Sequence, residues 1–219
     1  RTGDGKTTVA WNLSAAAASG GLSVALVEAD LRRPSLAHNY DLEHAPGLSE
    51  ALQGEVSISA AMQTILPIPG TANPIGHPRS LHVIVAGQPA PNPWALVQSS
   101  VMARVLDVLR KDHDLVVIDT PPIPHVADAI SLLRHVDGVL ITASVNSTSG
   151  PDASRLRDQL LGLDAHVLGV VANGGSALSG YAAYARATAA TTAMSSGNGD
   201  GHPGTPIAIR DSGGPPRTL

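Results

Sequence analysis

Gly3-Asp4-Gly5-Lys6-Thr7-Thr8 stands at the start of the chain, and its residue types suit the handling of phosphate. The run reads as the second half of G-x-x-x-x-G-K-[ST]. The first position of that pattern falls one residue before Arg1, and the strand that should carry the loop is expected upstream. Glycines let backbone N–H groups close around a polyphosphate, because no Cβ obstructs a positive φ or a close approach. A helix beginning near Lys6 would point its unpaired N–H groups and the positive end of its dipole at the same place. Lys6 would then reach the β- and γ-phosphates, and the Thr7 hydroxyl would hold Mg²⁺. Lysine is scarce, with only Lys6 and Lys111 in 219 residues, which makes one at this position more informative. The competing reading, a Gly-rich turn before an ordinary helix, loses ground as further motifs accumulate.

Two more stretches place acidic groups where a metal or a hydroxyl could meet them. Leu115-Val116-Val117-Ile118-Asp119 reads as a buried strand ending in a carboxylate, the Walker B form in which Asp holds Mg²⁺ directly or through water. Thr120-Pro121-Pro122 follows, and the prolines turn the chain out of the sheet. Val24 to Pro34 places Glu28 and Asp30 at a second strand's carboxyl end, then Arg32 and Arg33. The carboxylates could hold metal or accept a hydroxyl proton, and the arginines could bind phosphate or a neighbouring subunit.

The elements that position these groups alternate between apolar runs and helical periods. Strands are expected at Ser23–Val27, Leu81–Val85, Leu115–Ile118, Val139–Ala143 and Val167–Ala172. Helices are expected at Val9–Ser19, Leu48–Leu52, Trp94–Arg110, His125–His135 and Asp152–Leu161. Asp30–His44 reads as a loop with one helical turn, and residues 65–80, rich in Pro and Gly, as largely irregular. Strands separated by helices imply right-handed crossovers and an α/β fold with a mostly parallel sheet. Ligands in such sheets sit beyond the carboxyl ends of the strands, where Glu28, Asp30, Asp119 and Asn173 fall. Residues 1–174 form the nucleotide-binding domain on this reading. Residues 175–219 are an Ala-rich, then Gly-, Pro- and Ser-rich tail, expected to be disordered from Ser195 onward.

Composition narrows the class. A formal net charge of −4 gives no reason to expect nucleic acid as a partner. Phe and Cys are both absent, so Leu, Val, Ile and Ala build the core, and disulfides and thiolate metal sites are excluded. His38, His44, His113, His125 and His135 lack the spacing of a zinc site. No apolar run in these residues reaches the ~18 residues of a membrane span, although a membrane segment could lie upstream.

Taken together, the motifs resemble the bacterial tyrosine kinase family of capsule and exopolysaccharide synthesis, P-loop NTPases of the deviant Walker A, partitioning-ATPase-like group. The resemblance rests on V-E-A-D-L-R-R-P between G-D-G-K-T-T and D-L-V-V-I-D-T-P-P. Gly47-Leu48-Ser49, Gly87-Gln88-Pro89-Ala90-Pro91-Asn92-Pro93 and Val167 to Asn173 agree with it. It covers about residues 3–174 and implies a sheet with helices on both faces. It also implies ATP and Mg²⁺ as cofactors. Gly3, Asp4, Gly5, Lys6, Thr7 and Thr8 would hold the nucleotide, Thr7, Asp30 and Asp119 the metal, and Lys6, Glu28, Asp30 and Asp119 would be the catalytic set. Asn173 resembles the residue that reads the adenine edge; a strand-end cap is the equal alternative.

The implied activity is protein-tyrosine autophosphorylation, with Tyr181 and Tyr184 as acceptors on a neighbouring subunit and Tyr40 in reserve. The rival reading is a nucleotide-switched assembly ATPase without tyrosine transfer. The resemblance also implies a homo-oligomer at the cytoplasmic face of the bacterial plasma membrane. Its partner there would be a membrane chain-length or activator protein, or a membrane domain fused upstream. Three features depart from the family. Glu28 stands where Asp is usual, the tail tyrosine cluster is reduced to two, and the upstream segment that helps such kinases form rings is not visible. Residues 1–219 alone are expected to be poorly stable and to bind ATP weakly, with ~10–20 upstream residues restoring both.

Overall fold

Val24–Glu28 is an apolar run with one terminal acid, and all five residues are buried, as a strand covered on both faces requires. In the computed structural model, which describes residues 3–67, 80–122, 132–174 and 217–218, this strand is central. In chain order the elements are α1 (Lys6–Ser19), β1 (Val24–Glu28), α2 (Leu36–Asn39), α3 (Leu48–Gln53), β2 (Gln63–Pro67), β3 (Ser80–Ile84), α4 (Pro93–Val97), α5 (Ser100–Asp112) and β4 (Leu115–Asp119). A 3₁₀ turn at Leu133–His135 follows, then β5 (Val139–Ser144), α6 (Gly150–Gly162), β6 (Val167–Asn173) and β7 (Arg217–Thr218).

β1 pairs in parallel with β3 on one side and β4 on the other, with Glu28 opposite Asp119. Alternation along β1 divides the core in two. Val24 and Leu26 pack with Ala10 and Ala18 of α1 on one face. Ala25 and Val27 pack with Leu48 of α3 and Met102, Leu106 and Leu109 of α5 on the other. Helices therefore cover both faces of the parallel sheet, as expected from the alternating pattern.

Several boundaries differ from the sequence reading for local reasons. The helix expected over Trp94–Arg110 is two helices, because the Ser99 side chain accepts the Met102 N–H and starts a new N-terminus. The first three residues of the segment expected to be irregular, 65–67, belong to β2, which pairs antiparallel with β3, and residues 68–79 lie outside the described set. Of the helix expected over His125–His135, residues 125–131 lie outside the described set. The sheet is also not continuous. Strands run in the order β2-β3-β1-β4-β7, while β5 and β6 form a separate parallel pair. A cavity of ≈530 Å³ lies between, lined among others by Val9, Leu13, Val117, Ile141 and Val170.

Two contacts fix the loops around the nucleotide end. The Glu50 carboxylate accepts the Gly47 and Gln88 amides, each at 2.9 Å. This buckles the start of α3 to the chain leaving β3, and burial of the acid is outweighed by those amides, so its pKa is lowered. Trp11 of α1 and Tyr40, the residue after α2, stack with centroids 3.8 Å apart and planes 10° apart, holding the end of α2 against α1.

Candidate nucleotide site

The loop at Gly3–Gly5 takes its shape from two glycines with positive φ, 89° at Gly3 and 83° at Gly5, a region that disfavours any residue with a Cβ. Gly5 is the N-cap of α1 and no side chain caps that end. The first-turn amides and the positive end of the helix dipole are thus directed at the loop. Asn173, at the end of β6, donates from Nδ2 to the Asp4 carbonyl at 2.8 Å. A Cβ on Gly5 would lie 2.5 Å from the same Nδ2. Asn173 thus ties the end of β6 to the loop.

Glycine at position 5 is therefore required twice over. Gly5→Ala should lower ATP affinity about tenfold or more through ~1–3 kcal/mol of backbone strain and displacement of Asn173. Calorimetric titration with Mg-ATP checks this, and wild-type affinity would show that the loop tolerates a Cβ.

The carboxylates meet the loop at the ends of β1 and β4. Thr7 Oγ1 donates to Asp119 Oδ2 at 2.6 Å. Asp119 is 4% exposed. Burial, followed by the nearby charges of Glu28 and Asp30, raises its pKa to about 6 against the lowering by Thr7 and Lys6. Such a carboxylate lacks enough positive charge around it. A divalent cation would supply that charge, and the Thr7 hydroxyl beside it is the other ligand type expected there. Among the described residues no three His, Cys, Asp or Glu side chains converge to hold a metal by themselves. One carboxylate and one hydroxyl suit Mg²⁺ in particular, which keeps waters and shares substrate phosphate oxygens.

The two acids of the second motif are placed differently from each other. Glu28 is 1% exposed. Its Oε1 accepts the Ser35 and Leu36 amides at 2.5 and 2.8 Å, and its Oε2 accepts the Ala86 amide at 3.0 Å. Asp30 is partly exposed and accepts the Arg33 amide at 3.1 Å. Lys6 lies at the first turn of α1, near enough to Asp119 to lower its pKa. Thr8 is exposed beside it and faces the Tyr40 hydroxyl. The structure thus brings Asp4, Gly5, Lys6, Thr7, Asp119 and Asn173 together, with Glu28 and Asp30 at the adjoining strand end. Tyr181 and Tyr184 lie outside the described residues.

Sequence reasoning passed over Ser35, whose hydroxyl reaches Thr7 Oγ1 at 3.4 Å. A serine after proline in a polar loop carries no signal that would have found it.

A left-handed glycine loop on a helix N-terminus, facing a strand-end aspartate bonded to the helix's first threonine, defines a P-loop NTPase. A family model described as ParA, NUBPL iron-transfer P-loop NTPase, matches residues 1–188. Tyrosine-protein kinase YwqD of Bacillus subtilis is 32% identical over 172 residues, 78% of this chain and 68% of that protein. Putative tyrosine-protein kinase EpsB of Ralstonia nicotianae is 34% identical over 172 residues, 78% of this chain but 21% of that protein. The kinase domain of the Escherichia coli tyrosine kinase ETK superposes with a TM-score of 0.70 at 28% identity, covering 80% of this chain and 64% of that one. The chain belongs to the bacterial tyrosine kinase family within the ParA-like P-loop NTPases.

Proposed function

We propose that the protein is an ATP- and Mg²⁺-dependent protein-tyrosine autokinase that regulates polymerisation or export of capsule or exopolysaccharide. The observation that carries this is the Thr7–Asp119 bond of 2.6 Å at the head of the glycine loop, in a chain 32% identical to a tyrosine-protein kinase. Mg²⁺, when bound, supplies the positive charge that neutralises the phosphates.

The chain's own residues do the rest by positioning. Thr7 and Asp119 hold the cation, Lys6 and the first-turn amides of α1 grip the β- and γ-phosphates, and Asn173 keeps the loop in shape. Asp30 is the more accessible carboxylate of its pair and orients the tyrosine hydroxyl and takes its proton. The acceptors are Tyr181 and Tyr184 of a neighbouring subunit, which makes the active form a homo-oligomer. Tyr40 is the weaker candidate, because its ring is stacked on Trp11 and must leave that contact to reach a phosphate.

The cytoplasmic face of the plasma membrane is the proposed place of action, beside a membrane activator or a fused membrane module. Among the described residues no helix is long and apolar enough to cross a membrane. The match to only 21% of EpsB leaves room in such relatives for further modules.

The test is incubation of the full-length protein with Mg-ATP, followed by mass spectrometry. Phosphate on Tyr181 or Tyr184 is the expected result. Phosphate only on serine or threonine, or on no residue, would sink the tyrosine kinase reading and leave a nucleotide-switched ATPase.

A further inference from the structure

We propose that Ser35 is a positioning residue for the Mg²⁺–phosphate end of the site, and that Glu28 is the latch holding Ser35 there rather than the base for the tyrosine proton. This deepens the preceding reading and rests on its Mg-nucleotide part, not on transfer to tyrosine.

Ser35 is the N-cap of α2, yet its side chain makes no capping bond. A serine in that position ordinarily accepts an N–H of the first helical turn. Here the hydroxyl instead reaches Thr7 Oγ1 at 3.4 Å. That is long for O–H···O, which centres on about 2.7–2.8 Å, so the contact adds little as a staple between α2 and α1. It does set a row of Ser35, Thr7 and Asp119, whose middle member is the hydroxyl assigned to the cation. Ser35 is partly exposed, at the edge where a ligand's phosphate or hydration shell would lie.

Glu28 fixes this arrangement from beneath. Three backbone amides, from Ser35, Leu36 and Ala86, fall on its two oxygens. A general base must come within hydrogen-bond reach of the proton it removes. A carboxylate 1% exposed and occupied by three amides would have to release the start of α2 or the chain leaving β3 to do so. The Glu28 carboxylate spans to those amides, and aspartate would set it back by one methylene. Because Glu28 holds the Ser35 amide while the Ser35 hydroxyl faces Thr7, the latch and the metal edge are coupled through one residue.

The experiment measures ATP affinity of the full-length protein by calorimetry, with Mg²⁺ and with EDTA, and takes the ratio as the cation enhancement. Ser35→Ala should reduce that enhancement roughly tenfold, the effect typical of residues that orient metal ligands. Ser35→Thr, which keeps the hydroxyl, should restore it. Glu28→Asp should reproduce the Ser35→Ala loss, and the double variant should lose no more than either alone, as expected for residues acting through one contact.

Wild-type enhancement in Ser35→Ala would overturn the role of Ser35, and additive losses in the double variant would overturn the latch. The base reading predicts the reverse pattern for Glu28→Asp, with enhancement kept and the pH profile of turnover displaced. An absence of Mg²⁺ enhancement in the wild type would instead bring down the nucleotide reading itself.

Discussion

Lys6→Met should abolish phosphotransfer and weaken ATP binding about a hundredfold. A charge-assisted hydrogen bond contributes about 1.5–3 kcal/mol to binding, and loss of one donor aimed at developing negative charge costs about 10²–10³ in turnover. Lys6 opens α1 beside two left-handed glycines, at the end where the first-turn amides and the positive end of the helix dipole are directed. Methionine keeps the aliphatic stem, so the fold should survive and the loss can be assigned to charge. Lys6 also lowers the pKa of Asp119, and its removal should raise that pKa further. Binding by calorimetry and transfer by radiolabelled ATP test both effects together. Full activity in Lys6→Met would mean that the loop does not hold a triphosphate.

Asp119→Asn should eliminate Mg²⁺-dependent turnover while stabilising the nucleotide-free protein above about pH 6. The Asp119 pKa is raised from 3.8 to about 6 by burial and by Glu28 and Asp30. Between those two values the folded state binds more protons than the unfolded state, so stability falls as pH rises through the interval. The loss amounts to about 3 kcal/mol once Asp119 is ionised, because each tenfold change in proton affinity is worth about 1.36 kcal/mol. Asparagine carries no charge and can still accept the Thr7 hydroxyl. Its stabilising effect should therefore be largest at pH 7–8 and vanish below about pH 4. Denaturant unfolding of both proteins across this range measures the difference. A constant offset at every pH would show that Asp119 does not titrate where burial places it. Added Mg²⁺ should narrow the gap for the wild type alone, because the cation favours the ionised carboxylate.

The parts of this molecule written in short stretches were legible from sequence. Val24–Glu28 and Leu115–Asp119 are apolar runs ending in acid, and a strand buried on both faces next to a polar site demands that pattern. The Gly5–Lys6–Thr7 run announced its chemistry because glycine is the residue that best tolerates the positive φ that the loop adopts. What escaped depends on distant partners. β2 is a strand because β3 offers it an antiparallel edge, and Gln63 to Pro67 holds little apolar alternation to announce it. The break between α4 and α5 arises from a single serine inside an otherwise continuous helical period. Glu28 was legible as an acid at a strand's carboxyl end beside Asp30 and two arginines. Its partners in space are the amides of Ser35, Leu36 and Ala86, which no local pattern reveals.

The Trp11–Tyr40 stack has an optical consequence. With the rings 3.8 Å apart and nearly parallel, excitation of Tyr40 passes to Trp11, so tyrosine-sensitised emission of Trp11 follows the spacing between the phosphate-loop helix and the segment that ends α2. The chain has one other tryptophan, Trp94, 46% exposed at the start of α4, where water shifts indole emission to longer wavelength. The chain thus carries two native indole fluorophores, one on the phosphate-loop helix and the other beside the Pro-rich turn after β3.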